Sequence, residues 1–537
     1  MSTRKNLLIA ACYTGALVLG MVLGPKFQKE NNKTNNELTN RLQSDEDGGK
    51  LSQVLDLIKE NYVDDVKLDT FQNLAINEIL NHLDPHSAYL PPVEARQFSD
   101  DINGNYDGVG IEYQLLNDTL IITHLNSMGP AAKAGLQSGD QLLKIGTVNI
   151  AGTGATSKKI VELIRGRQGT LVNLTIRRYG VTDEIVYQVP RNKITISSID
   201  VAYLLQNKIG YIKVSKFGAK TDEDFQAELI RLKKQGMKGL IVDLRENGGG
   251  YLNAATALAD QFLPENKLIV YTQGQHEPRT DYFATRAGNY EQGKLVVLID
   301  EGTASASEII AGAIQDLDRG ILVGRRSFGK GLVQEQFNFG DGSSLNLTVA
   351  RYYTPSGRSI QKPYLHGKAE YFQEVSNRLS SGELLQDKEH LMSNLYSTKD
   401  KFFRTTSGRI VYGGGGIMPD IYVPVDTSKT NKLYYALSRK AVLNEYVYSY
   451  LIKAKRPVNL NSLSAEFNIS NLQYKKLVAL AKSKNIIFSA KEFDVARHLI
   501  MLDLKALLTR FYFGEAAYYH VLNEDDHVLL RSLKEFK

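Results

Sequence analysis

The chain has 537 residues and a mass of 59.9 kDa, enough for about three or four domains, each with its own core. Hydrophobic residues make up 42% and charged residues 23%, close to the averages for globular proteins, which excludes a collagen, a disordered tail protein and a multi-span transporter. The 65 Lys and Arg exceed the 59 Asp and Glu by only six, and so small an excess over a long chain does not indicate nucleic-acid binding.

The N-terminal segment, residues 1–24, is the part of the chain that predicts contact with a membrane. After Arg4 and Lys5, residues 7–24 carry no charge, and eighteen helical residues just span a hydrocarbon core. We therefore expect an uncleaved membrane anchor, with a cleaved signal peptide or lipidation of Cys12 as alternatives. The positive charges before the segment place the rest of the chain outside the cytoplasm, in the cell envelope, either anchored in the periplasm or secreted into that space. Cys12 is the only cysteine, so neither an intrachain disulfide nor a multi-cysteine metal site can form.

The next two segments are predicted to be a linker and a helical cap. Residues 25–50 are rich in Asn, Lys, Glu and Asp with few large apolar residues, which is typical of a linker. From Leu51 onwards apolar residues recur at helical spacing, which predicts a small helical cap over residues 51–103. Asp84-Pro85 is expected to end a helix within this cap.

Residues 104–191 change to short strands and glycine turns around one helix. The pattern predicts strands at 120–124, 139–145 and 169–178, a helical turn at 129–135 and an amphipathic helix at 157–165. This order resembles a PDZ domain with the permuted strand arrangement of bacterial proteases. The resemblance implies that Gly108, Val109, Gly110 and Ile111 form the loop that binds the carboxylate of a protein C-terminus.

Physical chemistry supports that interpretation of the loop. Closely spaced glycines let backbone N–H groups converge on an anion, and the strand that follows can pair with an extended peptide at the edge of a sheet. The alternative is a β-turn that contains glycines for conformational reasons alone.

Residues 195–428 alternate between apolar strands and helices, which predicts a layered α/β core. The predicted buried strands are 209–214, 239–244, 295–299 and 321–324, and the predicted helices are 221–235, a segment from Gly248 to Phe262, and 308–317. Residues 365–410 are polar and are predicted to be an irregular insertion. Residues 430–537 are predicted to be helical, with no recognisable chemistry.

The first candidate reactive group is Ser305. Residues 300–308 follow a buried strand and enter a helix, so Ser305 is predicted at a strand-to-helix junction. Unpaired backbone N–H groups and the helix dipole at such a junction favour negative charge and could hold an oxyanion. The alternative is that Ser305 or Ser307 is an ordinary N-cap.

The second candidate is Lys330, which lies between Gly329 and Gly331 in an apolar run. A serine hydroxyl needs a base, and a lysine can be that base when burial lowers its pKa. Residues two and four apart share a face of a strand, so the carbonyl of Gln334 is expected to orient the Lys330 amine.

Two competing sites are disfavoured. Gly324 to Lys330 fits most of a phosphate-binding loop, but Gly331 stands where a Ser or Thr should hold magnesium, and a strand pattern follows instead of a helix. His82 and His86 flank Pro85, which breaks the helix that metal ligation would need, so we expect packing or surface roles. The other histidines have no matching triad motif.

Several motifs together resemble the C-terminal processing peptidases, also called tail-specific proteases. The similar segments are Asp243-Leu-Arg-Glu-Asn-Gly-Gly-Gly250, Thr303-Ala-Ser-Ala-Ser-Glu308, Gln315-Asp316, Phe328-Gly-Lys-Gly-Leu-Val-Gln334, Tyr353-Thr-Pro-Ser-Gly-Arg-Ser-Ile-Gln361 and Pro419-Asp420. The resemblance covers roughly residues 51–425. This chain departs from it at Gly248, where many members carry proline, and in the insertion at 365–410.

The resemblance implies a serine endopeptidase with a Ser/Lys dyad. It assigns Ser305 as the nucleophile, Lys330 as the general base and Gln334 as its orienter, with backbone N–H groups of Gly249 and Ala306 as the oxyanion hole. Some members are described with an aspartate at the position of Asp316. We expect a structural role for it here, because eleven helical residues would carry it about 16 Å from the serine.

The sequence therefore predicts a multi-domain α/β protein: a layered ββα-type peptidase core, a preceding PDZ-like β domain, and helical N- and C-terminal regions. We expect it to bind protein substrates by their C-terminal tails and to hydrolyse peptide bonds, without a cofactor or metal and without nucleic acid. The resemblance also implies a homodimer. The alternatives are a noncatalytic scaffold that binds C-termini and, less favoured, a nucleotide-dependent enzyme.

Overall fold

The computed structural model describes residues 49–116, 118–126, 128–285, 287–385, 402–426, 431–451, 459–460, 463 and 467–537. The predicted anchor at 1–24, with Cys12, and residues 25–48 of the predicted linker lie outside the described residues. Among the described helices, none combines the length and the apolar character needed to cross a bilayer. The chain divides into two units, residues 1–83 and 84–537.

The first unit contains two helices in its described part, α1 (Gly49–Asn61) and α2 (Leu68–Asn81). The prediction of helices here is confirmed, and α2 ends before Asp84-Pro85 as expected. α1 has no buried residue, and α2 buries Leu80 alone. Large apolar side chains of both helices are therefore exposed, namely Leu51, Val54, Leu57, Phe71, Leu74 and Ile79.

The first residues of the second unit differ from the prediction of a helical cap over residues 51–103. Residues 88–90 form a strand, β1 (Ala88–Leu90), and the helix α3 (Pro92–Asn103) follows it. β1 pairs with a strand of the core more than 250 residues later, so local periodicity could not reveal it.

The predicted PDZ-like domain has the expected order of elements. Its elements are β2 (Asn105–Gly108), β3 (Ile111–Leu116), β4 (Thr119–Leu125), α4 (Pro130–Ala134), β5 (Gln141–Ile145), β6 (Val148–Asn149), α5 (Ser157–Ile164), β7 (Leu171–Arg177), β8 (Ile185–Pro190) and β9 (Asn192–Thr195). The main sheet has the order β3-β4-β5-β7-β8, which leaves β3 at an edge. Ile160 and Ile164 of α5 pack on the apolar face of this sheet, against Ile122 and Leu174.

The core is a six-stranded sheet between two helical layers. Its strands are β10 (Ile199–Leu204), β11 (Ile209–Val214), β12 (Gly239–Asp243), β15 (Lys294–Ile299), β16 (Ile321–Gly324) and β21 (Ile421–Tyr422), in that spatial order. All neighbours from β11 to β21 run parallel. β11 and β12 are buried throughout, as apolar runs covered on both faces should be.

Three helices cover one face of this sheet, α6 (Thr221–Lys234), α7 (Leu252–Asp260) and α8 (Ala306–Asp316). Val528 and Leu529, from the C-terminal end of the chain, pack on the other face. The predicted layered α/β core is confirmed.

A second sheet packs beside the first. It has the order β1-β18-β13-β14, with β17 paired to β18, and its core strands are β13 (Leu268–Gln273), β14 (Thr280–Phe283), β17 (Leu332–Asn338) and β18 (Ser344–Tyr353). All of its pairings are antiparallel. Residues 332–338 form a strand and not a helix, so no helix N-terminus follows Lys330, as a phosphate-binding loop would need.

The prediction of an irregular insertion at 365–410 is wrong for part of the segment. Residues 368–380 form a helix, α9 (Lys368–Ser380), and two short strands follow, β19 (Phe402–Arg404) and β20 (Ile410–Tyr412). The residues of α9 that are buried are Tyr371 and Arg378. Because one of these is charged, the buried face of the helix gives no apolar periodicity.

The C-terminal region is helical in its described part, as predicted. Its helices are α10 (Lys432–Arg439), α11 (Val442–Tyr446), α12 (Asn471–Ser483), α13 (Ala490–Phe513), α14 (Glu515–Asn523) and α15 (His527–Ser532). α10 to α13 share a separate apolar core that includes Leu437, Tyr446, Leu477 and Phe493.

Candidate active site

The site lies at the carboxyl edge of the parallel sheet. Gly248 to Gly250 follow β12, Ser305 follows β15 and Lys330 follows β16, and these three strands are neighbours. Because parallel strands end at the same edge, their following segments meet there. Ser305, Lys330 and Gln334 all line one cavity of about 460 Å³. The structure thus brings the predicted residues together.

Ser305 occupies the N-cap position of α8, but it is not the ordinary N-cap of the alternative interpretation. Its backbone has a φ of 56°, in the left-handed region, whereas N-cap residues ordinarily have extended backbone. A non-glycine residue in that region is strained, and such strain clusters at functional sites. Ser305 therefore combines a helix N-terminus, a strained backbone and a place on the cavity wall.

Lys330 lies on an irregular loop between β16 and β17, residues 325–331, which we call the Lys330 loop. Burial lowers the pKa of the Lys330 amine below its usual value, and the carboxylates of Glu308 and Asp84 oppose this shift only in part. Within the described residues, no carboxylate lies within ion-pair distance of Lys330. The amine therefore has the environment that a neutral lysine base needs.

The side chain of Glu308 links Ser305 and Lys330. The sequence motif that contains Glu308 indicated no role for it. Its carboxylate is fully buried and accepts the N–H of Ser305 at 2.9 Å and the N–H of Lys330 at 2.9 Å. It also accepts the N–H of Gly329 and the hydroxyl of Ser327. Burial raises the pKa of Glu308 to about 7, although these four hydrogen bonds favour the charged form. One side chain therefore fixes the backbone at both reactive positions.

We expect Glu308→Gln to flatten part of the pH dependence of stability. Because the folded pKa of Glu308 exceeds its ordinary value of 4.5, the folded state holds this proton more tightly. That contribution is complete below pH 4.5 and is lost as the pH rises through about 7. Glutamine does not titrate, so the difference in the free energy of unfolding between wild type and variant should change across this window, by about 3 kcal/mol. Urea unfolding at pH 4.5, 6 and 8 measures it, and parallel curves would contradict the prediction.

A second side chain links the same two residues. The hydroxyl of Tyr352, almost fully buried, lies 2.6 Å from the carbonyl oxygen of Lys330 and 3.1 Å from that of Ser305. The N–H of Gly331 donates to Gln361 Oε1. These side chains add to the backbone hydrogen bonds that the Lys330 loop makes with other segments.

Gly249 packs directly against Ser305. A Cβ on Gly249 would lie 2.8 Å from the Ser305 Cβ and 2.9 Å from the Ala306 nitrogen, and the φ of Gly249 is +102°. Only glycine fits this close approach. However, the Gly249 N–H donates to Asn247 Oδ1 at 2.9 Å, so its prediction as an oxyanion donor is wrong for this geometry.

Several backbone N–H groups in the cavity wall have no protein acceptor among the described residues, and those of Gly248 and Ala306 are two of them. Ala306 is the first residue of α8, where N–H groups have no partner within the helix. The N–H of Gly248 is therefore available to an oxyanion, whereas that of Gly249 is not.

Gln334 lies on the cavity wall, but its amide donates to the hydroxyl of Thr348 at 3.2 Å. A register irregularity between Val333 and Gln334 breaks the strict alternation on which its orientation towards Lys330 was predicted. The described contacts include no hydrogen bond between Gln334 and Lys330.

His86 is the site residue that sequence reasoning missed. It lines the same cavity, and its Nε2 lies 2.9 Å from the hydroxyl of Tyr371. Burial, together with the charge of Lys330, lowers the pKa of His86 to about 3, so its ring is neutral. The signal for a site role was absent because Tyr371 follows 285 residues later.

Asp316 has the structural role that was expected of it. Its carboxylate is buried and pairs with Arg358 at 2.7 Å, at the far end of α8 from Ser305.

The predicted C-terminus-binding loop has donors without partners. Val109 and Gly110 lie between β2 and β3, and neither N–H donates to a protein acceptor among the described residues. Gly110 has a φ of +77°, which turns the chain into the edge strand β3. The side chains of Val109 and Ile111 are buried in the domain core, and Gly108 pairs with Asn192.

Comparison with known proteins identifies relatives of three segments. The model of peptidase family S41 matches residues 208–367, that of the PDZ domain matches residues 121–178, and that of a family of unknown function matches residues 433–514. The carboxy-terminal-processing protease of Bartonella bacilliformis is 38% identical over 320 residues, which cover 58% of this chain and 72% of that protein. Carboxy-terminal processing protease CtpB of Bacillus subtilis is 32% identical over 316 residues, 58% of this chain and 65% of that protein. Among solved structures, the photosystem II D1 C-terminal processing protease is 30% identical, with 58% of this chain and 84% of that chain covered and a TM-score of 0.33.

Proposed function

Since the chain belongs to peptidase family S41, as a carboxy-terminal processing peptidase of the serine type, we propose that it hydrolyses peptide bonds with a Ser/Lys dyad. Ser305 is the nucleophile and Lys330 the general base. The observation that carries this proposal is that both residues line one cavity, with the amine buried and its pKa lowered.

Each turnover needs two acyl transfers. The neutral amine of Lys330 takes the proton from Ser305 Oγ as that oxygen attacks the carbonyl carbon. The N–H groups of Gly248 and Ala306 stabilise the tetrahedral oxyanion. The C–N bond then breaks, the departing amine takes the proton from Lys330, and an acyl-enzyme forms on Ser305. Lys330 then takes a proton from water as the water oxygen attacks the acyl carbon. The bond from that carbon to Ser305 Oγ breaks, Lys330 returns the proton to Oγ, and the acid is released. Gln334 and His86 form part of the wall around this chemistry.

The PDZ domain supplies a tail-binding site in this proposal. The unpartnered N–H groups of Val109 and Gly110 would hold a C-terminal carboxylate, and the edge strand β3 would pair with the extended tail. The substrate is therefore a protein with a free, unstructured C-terminus.

One experiment tests hydrolysis and tail recognition together. An unfolded test protein is prepared with a free C-terminal carboxylate and with a C-terminal amide, and the released peptides are identified by mass spectrometry. We expect internal cleavage of both forms, with kcat/KM about 10-fold lower for the amide, because a charge-assisted hydrogen bond is lost. Release of no peptide from either form would favour the noncatalytic scaffold, and equal rates would contradict tail recognition.

Attachment to a membrane through residues 1–24, a place in the cell envelope and a homodimer also belong to the proposal. The exposed apolar side chains of α1 and α2 support self-association, since their burial in a dimer would be favourable. Sedimentation of the chain with and without residues 49–83 tests it, and a monomer in both cases would contradict the dimer.

A further inference from the structure

The backbone N–H and carbonyl groups of the Lys330 loop need hydrogen-bond partners from outside the loop. It has no strand partner, yet it carries the residue whose position matters most for the proposed chemistry. Glu308 and Gln361 accept its last three N–H groups. The carbonyl groups of residues 326–328 accept no backbone hydrogen bond among the described residues, so they need side-chain donors.

Arg378 of α9 supplies those donors. Its side chain is 1% exposed. Its Nη1 donates to the carbonyl oxygens of Arg326 and Ser327, both at 2.9 Å, and its Nη2 donates to that of Phe328 at 3.3 Å. One planar guanidinium therefore holds three consecutive carbonyl groups, the last of them two residues before Lys330.

Acidic residues beside the loop balance the charge of Arg378. Glu374, on the same face of α9, lies 2.9 Å from Arg378, 3.0 Å from Arg326 and 2.9 Å from Lys362. Glu383 pairs with Arg326 at 2.7 Å. Burying a guanidinium without such partners would lower the free energy of unfolding. This network of acidic residues therefore stabilises Arg378 in its buried position.

Tyr371 gives α9 a second contact with the site. Its hydroxyl lies 2.9 Å from His86 Nε2, on the cavity wall, and its ring packs edge-on against Phe328 of the Lys330 loop. The ammonium group of Lys362 lies over both rings, 3.9 Å from the centre of Phe328 and 4.3 Å from that of Tyr371. The helix α9 thus contacts the loop through both Arg378 and Tyr371.

We infer that α9 positions the general base: Arg378 and Tyr371 hold the Lys330 loop so that the Lys330 amine stays in its water-poor position beside Ser305. Both are positioning residues, since neither lines the cavity that would hold substrate. The inference rests on the proposed function, because it requires Lys330 to act as the base.

The test compares Arg378→Lys with the matched control Arg358→Lys. Both arginines are buried and paired with acids, and both substitutions keep the positive charge. Arg358 pairs with Asp316 at the other end of α8, away from the Lys330 loop. The measurement is the pH profile of kcat and kcat/KM on an unfolded test protein, with the folded fraction determined by urea unfolding.

Lysine cannot reach three carbonyl groups with one ammonium, so Arg378→Lys should loosen the loop and let water reach Lys330. We expect kcat to fall about 10- to 100-fold at pH 8, with KM nearly unchanged. The acidic limb of kcat/KM should move to higher pH, because the pKa of a hydrated amine moves back towards its ordinary value. Arg358→Lys should change the folded fraction without moving the limb.

Several outcomes would overturn the inference. A merely structural role for Arg378 lowers the amplitude of the profile in both variants and leaves the limb in place. If Arg378→Lys does not fold, Tyr371→Phe replaces it, and an unmoved limb in that variant overturns the inference. If wild type releases no peptide or Ser305→Ala is equally active, the proposed function fails first. If wild type depends on Ser305 but Arg378→Lys keeps its kcat and limb, the inference alone fails.

Discussion

Lys330→Arg should lower kcat by about 10³-fold or more, and Lys330→Ala should lower it by a similar factor. Arginine keeps the positive charge but does not lose its proton in a protein, so it cannot accept the proton of Ser305. The two variants together separate base chemistry from charge. Initial rates of peptide release between pH 6 and 10 measure the effect.

Lys213→Arg is the matched control for this substitution. Lys213 is also largely buried, and its amine donates to the carbonyl of Arg245 on another part of the core sheet. Its arginine variant should retain activity within a few-fold. Full activity of Lys330→Arg would show that the amine at position 330 is not the base.

The wild-type profile should follow the sign of the Lys330 pKa shift. The reaction needs the neutral amine, so kcat/KM should rise as the pH rises through the pKa of Lys330. Because burial lowers this pKa, the rise should occur below the ordinary lysine value of 10.5. A profile that rises only around the ordinary value would contradict a buried base.

Ser305→Ala should lower kcat by about 10³- to 10⁶-fold, since it removes the atom that forms the acyl bond. Ser307→Ala is its neighbour control. The Ser307 hydroxyl is buried and donates to the carbonyl of Asn247, so its loss should cost about 1 kcal/mol of stability and little activity. Mass spectrometry of the peptides that each variant releases provides the comparison.

The double variant Ser305→Ala with Lys330→Ala should be no slower than Ser305→Ala by more than a few-fold. Groups that act as a unit lose their joint contribution when either is removed. Additive losses would mean that the two residues act in separate steps. A Ser305→Ala protein as fast as wild type would leave only the C-terminus-binding scaffold.

Sequence patterns predicted the parts of the fold that depend on local burial. The strands β11, β12, β15 and β16 are apolar runs bounded by turns, and each formed close to its predicted limits. Since the reactive segments follow three adjacent parallel strands, the meeting of Ser305 and Lys330 follows from the same pattern. The family resemblance supplied the roles of these two residues.

Three of the failures have a common physical cause, which is that the partners of these residues lie far along the chain. β1 pairs with a strand near residue 345, and His86 contacts Tyr371. α9 buries a charged face against acids and carbonyl groups, which no hydrophobic period reports. Two other failures arise from local backbone geometry, which residue types alone do not specify. They are the irregular register at Gln334 and the hydrogen bond from the Gly249 N–H to Asn247.

The dependence of the Lys330 loop on later side chains has a consequence for biosynthesis. A ribosome completes Ser305 and Lys330 before it adds Tyr352, Gln361 or Arg378, which satisfy the loop. A nascent chain therefore carries both residues before the Lys330 amine is buried. An amine exposed to water keeps its ordinary pKa and remains protonated. With the proposed dyad, the growing polypeptide would therefore not digest itself before the segment through residue 380 has folded.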